Sequence, residues 1–317
     1  MESESLMNRR DLMKTALVGA GMLPMQASLA ATPERSKRPR RAFLLVHGAW
    51  HNALHWTRVT EALSARGHQV VAINLPGHGL NARFPTAYVT GNAANLLEER
   101  SPQAEVTMED CATAVVAALE KLRQGAGGMK PVLVGHSVGG AVITRAGELA
   151  PQHIGRLVYL SAYCPLRLGS PGGYGALPEA STGYGETLFL GDPGKLGAVR
   201  INPRGGTEYL ESLRAAYYQD VPMADFLPFA LSLTPDLPLS LWTSKVGATK
   251  ERWGRIPRSY IRCTQDRALA PALQELMIRE ANAFTPGNAF TVESLEASHS
   301  PFASQPEALV ALLDGLR

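Results

Sequence analysis

Cysteine is scarce: the 317-residue chain has three, Cys111, Cys164 and Cys263. An odd set cannot pair completely within one chain, and the spacing fits no metal template, so neither a disulfide framework nor a zinc site is implied. Cys111 falls in a helical pattern and Cys263 at a strand end, where each reads as a small buried apolar residue. Charge of one sign is also in short supply, with 31 Lys and Arg against 28 Asp and Glu and a net charge of +3. The basic excess gathers in Arg35, Lys37, Arg38, Arg40 and Arg41. No aromatic residue is interleaved there to stack on bases, so 31–41 reads as a solvated linker and not as a nucleic-acid patch. Internal repeats and low-complexity tracts are missing, which excludes solenoid and fibrous architectures. What remains is an ordinary globular composition, 45% hydrophobic and 19% charged, enough for one sizeable core with an inserted subdomain.

The first thirty residues form a separate unit. Arg9 and Arg10 precede a short Gly- and Ala-rich apolar stretch over 15–24 and then small residues up to Ala30. That order resembles a twin-arginine export signal, with cleavage expected near Ala30 and a periplasmic or secreted mature protein. The apolar stretch falls short of the roughly 20 residues needed to span a bilayer, so no stable membrane insertion is expected.

From Ala42 onward, short apolar runs alternate with helix-period segments. This predicts an α/β fold, a mostly parallel central sheet with helices on both faces. Ala42–Val46 and Gln69–Ile73 read as buried strands around a helix over 54–66. Thr107, with Asp110 three residues on, is a helix N-cap for 107–123. A strand at 131–134 runs into Gly135-His136-Ser137-Val138-Gly139, and 157–160 is another strand. Over 163–254 the alternation stops, which marks an inserted cap between a first core part (42–162) and a second (255–317). Strands resume at Arg258–Cys263 and 289–295, and a helix at 306–316 ends the chain.

The chemistry starts at Ser137. G-x-S-x-G after a strand and before a helix is a nucleophile elbow: the glycines let the chain turn sharply and hold the hydroxyl clear of the backbone. A serine hydroxyl needs a base, and the base an orienting carboxylate, in the order Ser, acid, His for this arrangement. His299 is the one histidine after His153, so it is the candidate base. Asp266, in the loop after Arg258–Cys263, is the candidate acid, with Asp236 and Asp225 as rivals inside the cap. Oxyanion donors are expected from the backbone N–H groups of Val138 and Ala49. His47 and His136 are expected to pack and shape loops. His51, His55, His68, His78 and His153 show no ligand spacing and read as surface or loop residues. The apolar second half of the cap, 227–242, suits a hydrophobic or aromatic substrate group, or simply cap-to-core packing.

Several motifs together carry a resemblance: Phe43-Leu44-Leu45-Val46-His47-Gly48-Ala49-Trp50-His51, the elbow, Tyr260-Ile261-Arg262-Cys263-Thr264-Gln265-Asp266, and Ser298-His299-Ser300-Pro301-Phe302. They resemble the methylesterase and hydroxynitrile lyase family of α/β-hydrolases. That resemblance implies a cofactor-free site beneath a cap, and an activity on esters, pyrethroid-type esters among bacterial relatives, or on cyanohydrins. The lyases carry a lysine after the catalytic histidine and a threonine after the first strand's histidine; here those positions are Ser300 and Gly48. An esterase is therefore expected, acting through an acyl-enzyme on a small to medium carboxylic ester, with an amidase or lactonase on the same triad as the alternative. The expected partner is a small-molecule ester and no nucleic acid, and a homodimer is compatible with the sequence.

Overall fold

β1 (Ala42–Val46) is buried at every position, as a strand must be when both its faces are covered. The computed structural model describes residues 39–182, 184 and 186–316. The expected export signal and most of the basic linker lie outside the described residues. Of that linker's charges, Arg41 is half-buried and its guanidinium donates to the Leu316 carbonyl, so it docks on the core instead of being solvated.

β1 sits inside a six-stranded sheet with β2 (Gln69–Ile73), β3 (Val132–Ser137), β4 (Arg156–Ala162), β7 (Arg258–Cys263) and β8 (Thr291–Leu295), in the order β2-β1-β3-β4-β7-β8. Every neighbouring pair is parallel. β2 corrects an expectation. It was read as buried, yet it is the sheet's edge strand and half-exposed along its length, with Val71 39% exposed. Apolar composition alone does not distinguish a central strand from an edge one.

The helices form where local signals put them. Asn52 caps a short 3-10 turn, Ala53–Trp56, which runs on into α1 (Thr57–Ala65). Thr107 and Asp110 make a reciprocal capping box at the start of α2 (Met108–Gly125), which satisfies the N–H groups of both residues. α3 (Gly139–Leu149) follows the elbow and packs against α2, β3 and β4, while α1 packs against β2 and the C-terminal helix. All three cysteines are free and buried.

Between β4 and β7 the chain leaves the sheet. This stretch carries short helical turns, α4 (Thr207–Tyr217), α5 (Met223–Ser232) and a two-stranded antiparallel ribbon of β5 (Ala198–Arg200) and β6 (Asp236–Pro238). The ribbon was not expected from the sequence. At one end of it Arg200 and Asp236 form a fully buried bidentate pair at 2.6 and 2.8 Å. Arg200 also donates to the carbonyls of Leu96 and Glu99 at 2.7 and 2.9 Å, tying the segment before α2 to the ribbon. After β7 comes α6 (Pro271–Phe284), and after β8 a short turn of helix, Pro301–Ser304, precedes α7 (Pro306–Asp314). No helix among the described residues is long and apolar enough to cross a membrane.

Candidate active site

β3 runs further than its apolar residues suggest, through the elbow to Ser137 itself. Ser137 has φ +54°, the left-handed region that L residues seldom occupy. α3 starts two residues later. A Cβ on Gly139 would lie 2.5 Å from the His47 carbonyl oxygen, so only glycine lets this helix start beneath the first-strand loop. Gly48 closes over Ser137 from that loop: a Cβ there would meet Ser137 Cβ at 2.7 Å and His136 Nδ1 at 2.8 Å.

The candidate acid and base meet. His299 Nδ1–H donates to Asp266 Oδ2 over 2.6 Å, with the imidazole 2% and the aspartate 3% exposed. That proton position leaves the Nε2 lone pair free. Asp266 Oδ2 also accepts the hydroxyl of Ser161, while Oδ1 accepts the backbone N–H groups of Ala268 (2.7 Å) and Leu269 (2.8 Å). Four donors therefore hold a buried carboxylate in one orientation. The rivals are placed elsewhere: Asp236 is committed to Arg200, and Asp225 is exposed.

Ser137, His299, Ala49 and Val138 line one cavity of about 480 Å³. The Ser137 hydroxyl makes no hydrogen bond among the described residues. Nucleophile and base often draw together only once substrate is bound. Trp50, Phe189, Leu237, Leu239 and Trp242 supply apolar walls, and no Lys, Arg, Asp or Glu borders the cavity among the described residues. The apolar second half of the cap thus divides, since Leu231 points outward at 63% exposure.

Both ring nitrogens of His47, and Nε2 of His136, are occupied by structure, while His136 Nδ1 is buried without a partner among the described residues. His47 Nδ1–H donates to the Gly48 carbonyl (2.8 Å) and Nε2 accepts from Leu75 N–H (3.1 Å). His136 Nε2–H donates to the His299 carbonyl at 2.8 Å, with the two rings 4.5 Å apart. The remaining histidines correct an expectation: His51, His55, His68 and His78 are buried, and of that group only His153 is partly exposed. Distant chain covers them. His51 Nε2 accepts the hydroxyl of Tyr218 (2.7 Å) from beyond α4, His55 Nε2 faces the Phe229 carbonyl (3.3 Å), and His68 Nε2 contacts Asp314 (2.9 Å) on α7. Burial drives the pKa of His47, His51 and His136 well below the ordinary imidazole value, and pushes His55 and His78 down to about 4.

A sequence profile described as the Alpha/beta hydrolase family matches residues 43–312. The chain belongs to that family. Within it, the chain is similar to methyl jasmonate esterase 1 of Vitis vinifera, 30% identical over 287 residues that cover 87% of this chain and 97% of the grapevine protein. It is 29% identical to putative methylesterase 14, chloroplastic, of Arabidopsis thaliana, over 86% of this chain and 71% of that one. Among solved structures, the pyrethroid hydrolase PytH with BIF superposes with a TM-score of 0.69 at 25% identity, over 87% of this chain and 97% of that chain. These likenesses place the chain in the methylesterase-like group and make it a hydrolase acting on ester bonds.

Sequence reasoning missed Ser161, Tyr163 and Tyr217. Ser161, at φ +38°, sits in β4 beside the register shift opposite His136 and Ser137. A lone serine in an apolar strand carries no local signal of this role. Tyr163 marked only the start of the cap, and Tyr217 was given no role.

Proposed function

We propose that this esterase works through Ser137 as nucleophile, His299 as general base and Asp266 as the acid that orients it. Ser137 Oγ attacks the ester carbonyl while its proton passes to His299 Nε2. The carbon–oxygen bond to the alcohol breaks as His299 returns that proton to the leaving oxygen. A water molecule then gives a proton to His299 and attacks the acyl-enzyme, releasing the acid and restoring Ser137. The backbone N–H groups of Ala49 and Val138 receive the oxyanion; loss of one such donor costs on the order of 100- to 1,000-fold in turnover.

The 2.6 Å contact between His299 Nδ1 and Asp266 Oδ2, beside a cavity that Ser137 also borders, carries this reading. The uncharged, aromatic-walled cavity fits a neutral small to medium ester with a hydrophobic or aromatic group. A methyl ester or a pyrethroid-type ester answers that description, in keeping with the names of the relatives. Cyanohydrin cleavage is disfavoured because the position after the base is Ser300, buried and without a cation to meet departing cyanide. The leader is proposed to export the folded enzyme to the periplasm or medium. The test is labelling of the purified protein by a fluorophosphonate probe together with hydrolysis of a panel of aryl and alkyl esters. Both activities are expected to vanish in Ser137→Ala, and labelling that survives that substitution refutes the assignment.

A further inference from the structure

Two tyrosines border the cavity with hydroxyls that the protein itself does not use. Tyr163 is 6% and Tyr217 8% exposed, both line the cavity, and neither phenolic oxygen has a hydrogen-bond partner among the described residues. Three fully buried tyrosines elsewhere, Tyr159, Tyr218 and Tyr260, are satisfied. Tyr159 shares its hydroxyl with Thr144 and Trp253, Tyr218 with His51, and Tyr260 donates to the Ala162 carbonyl. Since a buried hydroxyl without a partner is costly, each of the two free phenols must find its partner in the cavity.

Their positions bracket the reacting groups. The Tyr163 backbone N–H donates to the Ser137 carbonyl over 2.9 Å, so this side chain leaves the chain beside the nucleophile. The Tyr217 ring stands edge-on to the His299 imidazole, with centroids 5.7 Å apart and planes at 64°. Burial, together with the nearby Asp266 charge, raises both phenols far above the ordinary tyrosine pKa, and Tyr163 adds to the effect on Tyr217. Both therefore remain neutral O–H donors wherever the enzyme works.

We propose that Tyr163 and Tyr217 form a polar subsite for a second oxygen acceptor of the substrate, a carbonyl or ether oxygen lying close to the scissile ester. Preferred substrates are then uncharged oxygenated esters, such as β-keto esters, over plain alkyl esters of the same size. A substrate without that oxygen leaves two donors without its acceptor in a largely apolar chamber, and sites built to hydrogen-bond discriminate strongly against analogues that cannot. This inference rests on the esterase reading only for its hydrolytic arm.

The experiment compares the β-keto ester of a phenylalkanoic acid with the same ester lacking the keto group, in wild type, Tyr163→Phe and Tyr217→Phe. The readout is the ratio of kcat/KM for the two esters, in which their intrinsic reactivities cancel between enzymes. Each substitution is expected to reduce the keto preference by about tenfold, the effect of one buried hydrogen bond of roughly 1.4 kcal/mol. A second arm needs no catalysis: binding of a phenylalkyl β-diketone and of the matching monoketone, followed by quenching of Trp50 and Trp242, which wall the cavity. The diketone is expected to bind more tightly, and the advantage to shrink by the same factor in each Phe variant. Ratios unchanged by both substitutions in the binding arm overturn the subsite. Absent hydrolysis with the binding preference intact overturns the proposed catalytic roles instead and leaves the subsite standing.

Discussion

Ser161 gives its hydroxyl proton to the same Asp266 oxygen that receives the N–H of His299. The serine does so from a backbone at φ +38°, as the extra residue at the register shift between β3 and β4, so the hydroxyl is delivered at a conformational cost. Ser161→Ala is expected to lower kcat by roughly 10- to 100-fold with KM nearly unchanged, as a hydrogen bond to a charged group is worth about 1.5–3 kcal/mol. Ser161→Gly is expected to lose the same activity while recovering stability relative to alanine, because positive φ suits glycine. Steady-state kinetics and urea melts of the two variants check this. Full activity in the alanine variant would make the contact incidental.

The carboxylates separate by consequence. Asp266→Asn keeps the shape of the site but loses the charge that steadies the imidazolium, with an expected fall in kcat on the order of ten-thousandfold. Asp236→Asn leaves Arg200 buried without its counter-charge, at a cost of about 3–5 kcal/mol in stability. Asp225→Ala, at an exposed helix position, is expected to change neither property measurably. Kinetics and chemical denaturation on the three variants give the comparison, and a catalytic collapse in Asp236→Asn with normal stability would reassign the acid.

Elements encoded locally were legible in the sequence. Thr107 and Asp110 lie three residues apart and cap α2 as their types require, and the glycines around Ser137 announce a sharp turn after a strand. Asp266 and His299 could be named as candidates because their loops follow recognisable strands. Features made by distant chain were not legible. Nothing near His51 or His55 in sequence foretells Tyr218 or Phe229 as a cover, and the edge position of β2 comes from having no strand beside it on one side. Arg200 and Asp236, 36 residues apart, had no local signature of an antiparallel pairing. The two cavity tyrosines were hidden for the same reason, since a phenol's partner, or its lack of one, is decided by three-dimensional packing.

The buried histidines predict how stability depends on pH. His55 and His78 have folded pKa values of about 4, below the unfolded value of about 6.5, and His47, His51 and His136 are shifted the same way by burial. Between those values the unfolded chain binds more protons than the native one, so stability is complete above about pH 6.5 and drains away as pH falls toward 4. Each such histidine adds a slope of about 1.4 kcal/mol per pH unit in that window. Urea midpoints measured from pH 7.5 to pH 4.5, both bracketing values chosen around the roughly 6.5 imidazole reference, are expected to fall steeply. His78→Asn should make the decline shallower by about one proton, and a flat profile in wild type would contradict neutral burial.

Gly48 bears on whether this scaffold can be turned into a lyase by restoring the two residues that the lyases carry. The cyanide-stabilising lysine would replace Ser300, which is buried, so a cation there must be accommodated beside His299. The threonine would replace Gly48, where even a Cβ falls 2.7 Å from Ser137 Cβ and 2.8 Å from His136 Nδ1. Neither neighbour can give way cheaply: Ser137 is held at φ +54° by the elbow, and His136 is pinned through Nε2 to the His299 carbonyl. Gly48→Thr therefore displaces Ser137, the loop of His299 or both, and for the proposed catalytic groups misplacement by about 1 Å costs on the order of 100-fold in rate. Gly48→Ala, Gly48→Thr and the double variant Gly48→Thr with Ser300→Lys are expected to lose esterase activity by at least that factor without releasing cyanide from mandelonitrile. Fluorophosphonate labelling of Ser137 should slow in parallel, because the damage lies at the hydroxyl and not in substrate binding. Normal labelling in Gly48→Thr would mean that the first-strand loop moves aside, and that the lysine alone separates the two chemistries.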